Sequence, residues 1–108
     1  MDLSQALVKT VELSTCHIRK DDDQLLKLLV LEHQQTVTTD IFVPVVLGAR
    51  YGYVIVIGDL TVNSMVERGA SAELRAILEW CLDPAQGVMY LAFEGDAMVL
   101  DELPVFDW

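Results

Sequence analysis

Apolar positions along the chain change period several times, and each change marks an element. Residues 8–17 (V-K-T-V-E-L-S-T-C-H) alternate, with Val11 and Leu13 on one face and Glu12 and Ser14 on the other. This is the period of a strand with one wet face. Asp21, Asp22 and Asp23 follow, and behind them Leu25, Leu28, Leu29 and Glu32 share a helical face broadened by Leu26 and Val30. The spacing predicts a helix over about 21–34, capped by the aspartates, because free N–H groups and the helix dipole favour carboxylates there.

Thr36 to Thr39 favour extended backbone, and residues 41–46 (I-F-V-P-V-V) continue as a strand. Pro44 cannot donate to a ladder, so that strand is expected at an edge or with a bulge. Turn residues from Gly48 to Gly52 lead into 51–57 (Y-G-Y-V-I-V-I), apolar on both faces. Such a run suits a central strand covered on both sides, or one that uses a face for association. Gly58 to Gly69 reads as a loop anchored by Met65 and Val66. Ser71 then caps a helix with Leu74, Ile77, Leu78 and Cys81 at i, i+3, i+4 and i+7, which Pro84 ends. Residues 88–93 form a strand, Glu94-Gly95-Asp96 a tight turn, and 97–100 a short hairpin arm. The order β-α-β-β-α-β-β predicts one α+β domain over 1–108, with two helices on a mostly antiparallel sheet. A ferredoxin-like arrangement with an added hairpin is one route to it.

With 53% hydrophobic and 22% charged residues in 108 positions, the chain builds one packed core. Its formal charge is −10, and residues 55–108 carry ten acids against two bases. That balance excludes nucleic acid and anionic membranes as direct ligands, since both need a basic face. It suits either a solvated face or docking of a basic protein partner. No apolar run approaches the roughly 20 residues of a membrane span. Cys16 and Cys81 are too few to staple a secreted scaffold, so reduced thiols and a cytoplasmic location are expected.

Candidate chemistry is sparse. Cys16 and His17 are neighbours in a strand pattern and face opposite ways, so a dyad would need Cys81 with His17, or Cys16 with His33. His17, Cys16 and Cys81 are therefore the catalytic candidates, set against the plainer reading of buried thiols and a histidine that fixes the strand-to-helix junction. No close-spaced ligand pair or phosphate loop is present, so no metal and no cofactor is expected; three consecutive aspartates splay about 100° apart on a helix. Tyr51, Tyr53, Phe106 and Trp108 belong to an aromatic set larger than so small an interior hides. They are the partner-binding candidates, and a homodimer is the expected state. The tail 103–108 (L-P-V-F-D-W) is expected to be ordered against its own domain, with an intersubunit groove as the alternative.

The runs V-E-L-S-T-C-H-I at 11–18, Tyr51-Gly52-Tyr53, S-A-E-L-R-A at 71–76 and L-P-V-F-D-W at 103–108 resemble an uncharacterised bacterial family. That family, a domain of unknown function, is marked by an S-T-x-H-I segment and an L-P-x-F/Y-D-W close. Its genes are frequent on mobile genetic elements, so the resemblance implies an accessory role there and no established activity. Cys16 stands at the variable position of S-T-x-H. The leading expectation is a non-enzymatic interaction or accessory protein of bacterial mobile DNA. An acidic decoy that inhibits a DNA-binding defence protein is the second reading, and a small enzyme using His17 with Cys16 or Cys81 the third.

Overall fold

Two helix N-termini meet at one carboxylate, and the helical layer is organised around that junction. In the computed structural model, which describes residues 1–35 and 44–108, Asp21, Asp22 and Asp23 occupy the first turn of α1 (Lys20–Gln35). Asp22 is buried. Its Oδ2 accepts from the Arg19 N–H (3.1 Å) and the Ser71 hydroxyl (2.6 Å), and its Oδ1 from the Ser71 N–H (2.9 Å). Ser71 in turn caps α3 (Ala72–Leu82) by accepting from the Leu74 N–H at 3.1 Å. Both helix starts thus satisfy their free amides through a shared pair of side chains. Asp23 is buried as well, accepting from the Tyr53 hydroxyl at 2.7 Å and pairing with Lys27 at 3.0 Å.

Among the described residues the sheet has four strands: β1 (Lys9–Ser14), β2 (Val46–Ala49), β3 (Gly52–Val56) and β4 (Val88–Glu94). Their spatial order is β1-β4-β3-β2, with β1 parallel to β4 and the other two pairings antiparallel. The fold is α+β, as expected, and the sheet is mixed. A ferredoxin-like sheet would hold its first strand inside; here β4 takes the inner place and β1 lies at the edge. Register puts Leu13, Tyr53, Ile55, Leu91 and Phe93 on one face, where they join Leu26, Leu29, Leu74 and Leu78 in one core. Alternate residues such as Val54, Val56 and Tyr90 point to the opposite face and lie outside that core.

Three expectations need correction. The segment expected as a loop, Gly58 to Gly69, contains α2 (Asp59–Glu67). Thr61, Val62 and Met65 are its buried side, and its β-branched and short polar residues hid the helical period. Gly69, at φ +100°, closes α2: its N–H donates to the Val66 carbonyl, and the Ala70 N–H to that of Met65. That is a left-handed cap which favours glycine. The expected hairpin arm 97–100 is not a strand, because its amides are spent elsewhere; the Met98 carbonyl takes the Ser14 N–H on the outer edge of β1. The order is therefore β-α-β-β-α-α-β, with three helices among the described residues. The extended stretch Thr36–Thr39 and residues 41–43 of the strand expected over 41–46 lie outside the described residues; of the rest of that strand only Val46 is in β2, which runs on through Gly48 and Ala49, expected as turn residues.

Gly52, the centre of Tyr51-Gly52-Tyr53, opens β3 opposite Glu94. A Cβ there would overlap the Phe93 carbonyl oxygen, so the strands approach closely only because this residue has no side chain.

Candidate functional site

The turn after β1 and the C-terminal tail hold each other residue by residue. Ser14 Oγ accepts from the Cys16 N–H at 3.2 Å, which tightens Thr15–His17 into a single 3-10 turn. The turn buries the His17 ring completely. His17 Nδ1 lies 2.8 Å from the Pro104 carbonyl oxygen, and the Leu100 N–H donates to Nε2 at 2.9 Å. An amide N–H can only donate and a carbonyl can only accept, so this pair of bonds selects the tautomer with hydrogen on Nδ1. On either side of His17, the Cys16 carbonyl accepts from the Phe106 N–H (2.8 Å) and the Ile18 carbonyl from Trp108 Nε1–H (2.9 Å). Arg19 completes the series, its guanidinium 4.6 Å from the Phe106 ring centre and 2.7 Å from Glu73 Oε1.

Beside this clasp lies an apolar groove of about 610 Å³. Its walls are Val11 and Leu13 of β1, Ile77 and Trp80 of α3, and Leu103 and Pro104 of the tail. Ala72 and Ala76 keep the α3 side shallow, and Trp80 is 52% exposed at the rim. The polar residues reaching it are His17, Glu73 and Glu102. The Arg19 guanidinium, hydrogen-bonded to Glu73, holds that carboxyl down at about 2. Cys81 also lines the groove, and burial pushes its thiol up to about 11. At neutral pH that thiol stays protonated, the wrong form for attack.

His17 and Cys81 are thus brought to one cavity, as the dyad reading required. Both nitrogens of His17, however, are bonded to backbone, of Pro104 in the tail and of Leu100 just before it, and neither thiol is among its hydrogen-bond partners. Cys16 sits half-buried on the turn. The arrangement equips His17 to fix the tail and leaves the groove as a shaped apolar surface.

A second cleft of about 600 Å³ gathers three of the four partner-binding candidates, Tyr51, Tyr53 and Trp108, between α1 and the β2–β3 turn. Tyr51 and Trp108 are half-exposed, with Arg50 5.1 Å from the Tyr51 ring centre. Tyr53 is buried, its hydroxyl on Asp23, and burial raises its pKa well above the ordinary value. It is a structural residue first. Phe106 lies apart, under Arg19. Trp80 belongs to the aromatic set expected to exceed the interior and Leu103 to the apolar tail, but neither was singled out as a site residue, although Trp80 stands off the stripe of Leu74, Ile77, Leu78 and Cys81. A large apolar residue outside the buried stripe was the available signal.

No helix among the described residues is long and apolar enough to cross a membrane. No curated protein and no solved structure matches the chain. A family model described as "Family of unknown function (DUF5983) C-terminal domain" matches residues 10–108, which include the Ser14–Ile18 turn, both clefts and the whole tail. The chain belongs to this DUF5983 C-terminal-domain family.

Proposed function

We propose that the protein is a non-enzymatic interaction module, a cytoplasmic accessory protein of bacterial mobile DNA, whose partner docks in the groove between α3 and the tail. One observation carries the reading: the groove is apolar, holds a half-exposed Trp80 at its rim, and is framed by a clasp that consumes the hydrogen-bonding capacity of its histidine. An exposed tryptophan beside a preformed apolar cavity has the make-up of a protein-binding hot spot. The mobile-DNA context comes from the resemblance of the S-T-x-H-I and L-P-x-F/Y-D-W segments.

Recovery of partners from source cells tests the reading. Tagged wild type should retain a protein that Trp80→Ala loses by tenfold or so, as removal of a hot-spot aromatic does. Identical recovery from both would contradict it.

Self-association is a second element of the reading, favoured by Val54, Val56, Tyr90 and the exposed Leu47 on the sheet face away from the core. Sedimentation should find a dimer that Val54→Lys dissociates; a monomer at micromolar concentration would remove it.

A further inference from the structure

The groove does not stand alone. It opens along an edge strand, and that edge has unused backbone. β1 pairs, among the described residues, with β4 on one side only. Among the described residues, its outer side is engaged at one point, where the Ser14 N–H donates to the Met98 carbonyl at 3.1 Å. Backbone groups on one edge recur every second residue, so the N–H and C=O of Glu12 point the same way as the Ser14 N–H. Open strand backbone next to an apolar cavity is the arrangement that captures an extended peptide, with main-chain bonds giving affinity and side-chain pockets giving selection.

We propose that a segment of another protein adds to β1 as a fifth strand, with apolar residues alternating with lysine or arginine. This deepens the reading of the protein as an interaction module and rests on it. Side chains of the added strand facing the helices enter the groove, against Leu13, Ile77 and Trp80. Those facing the other way lie alongside Glu12, which is exposed. Glu12 and Glu102, the latter at the groove rim, have no ion-pair partner among the described residues. A cation facing away from the helices is therefore matched by Glu12, and Glu102 adds to the negative field at the same edge. A second copy of this chain is a poor occupant. It sets the Glu12 and acidic tail of one copy against those of the other at this edge.

The probe is a fluorescent six-residue peptide of alternating valine and lysine, titrated at low salt and followed by anisotropy, with amide NMR shifts at Glu12. It should bind. Four comparisons should each weaken binding by about tenfold: valine alternating with glutamate, the same lysines and valines in two blocks, N-methylation of the bonding amides, and Glu12→Lys in the protein. Glu12 is on the surface, so Glu12→Lys should keep its melting temperature. Equal binding of the block peptide reduces the effect to net charge and overturns the proposal. Indifference to N-methylation overturns strand addition, and a dimer that Glu12→Lys dissociates would make a second copy the occupant. Failure of the peptides while Trp80→Ala still loses the cellular partner ends strand addition alone. Failure of both ends the interaction reading as well.

Discussion

His17 and Pro104 stand 87 positions apart and are joined at 2.8 Å, imidazole Nδ1 to proline carbonyl. Two of the four segments that carry the family resemblance, 11–18 and 103–108, are therefore one structural unit. The histidine supplies one nitrogen to Pro104 and the other to Leu100 just before the tail, and the residues flanking it supply carbonyls to Phe106 and Trp108.

Replacing His17 with Ala removes both ring bonds and leaves a cavity in a fully buried site. A loss of about 2–4 kcal/mol is expected, which lowers the melting temperature by about 10 °C or more. Deleting residues 104–108 should lower it by several degrees. Because the two changes break the same clasp, their combination should cost less than their sum. Thermal denaturation of the three variants checks this.

Glycines in neighbouring strands should respond in opposite ways. Gly52→Ala drives a methyl into the Phe93 carbonyl and should cost about 3 kcal/mol or abolish folding. At Gly48 the added carbon would meet Val30 Cγ1 at 3.5 Å, ordinary contact, so Gly48→Ala should stay within about 0.5 kcal/mol of wild type. Urea denaturation distinguishes the two.

Asp22 joins α1 to α3, so Asp22→Ala removes three hydrogen bonds at once. We expect a cost of about 3 kcal/mol, against about 1 kcal/mol for Ser71→Ala, which loses only the hydroxyl bonds. Urea midpoints give both values.

How much of this could be read beforehand differs from residue to residue. Leu74, Ile77, Leu78 and Cys81 declare α3 because their period is local and all four are buried. The aspartates at 21–23 declare the start of α1 for the same reason. α2 escaped because Thr61, Val62, Asn63 and Ser64 are weak helix formers held by packing; Gly69, its left-handed cap, was the one local signal. The parallel pairing of β1 with β4 is non-local and leaves no trace in either segment. The same holds for Leu100, read as part of a hairpin arm: its amide serves His17, and no pattern in 97–100 shows that. The tail was legible as an ordered apolar segment, but the groove it walls was not, since three elements distant in sequence must meet to form it.

Acid should dissolve one surface contribution in a defined window. Arg19 holds the Glu73 carboxyl at about 2, below its ordinary 4.5. A value lowered by folding gives stability that is present above pH 4.5 and is lost as the pH falls towards 2. Glu32, lowered by Arg68, acts in the same sense. The melting temperatures of wild type and Glu73→Gln should differ at pH 7 and converge towards pH 2. The gap at pH 7 should narrow in high salt, because both partners lie at the surface.

Burial that raises the Cys81 thiol to about 11 should make it slow towards iodoacetamide at pH 7.5, compared with the same residue in the urea-unfolded chain. Mass spectrometry of the labelled peptide measures it. Alkylation of Cys81 faster than a model thiol would instead favour the enzymatic reading.

We place partner docking in the groove beside the tail clasp. Its most direct measurement places a photo-crosslinking amino acid at position 80 and, in a separate protein, at the exposed Leu28 on α1, followed by irradiation in the source cells. A discrete adduct with one other protein is expected from position 80 and none of that mass from position 28. The same adduct from both positions, or none from position 80, would contradict it.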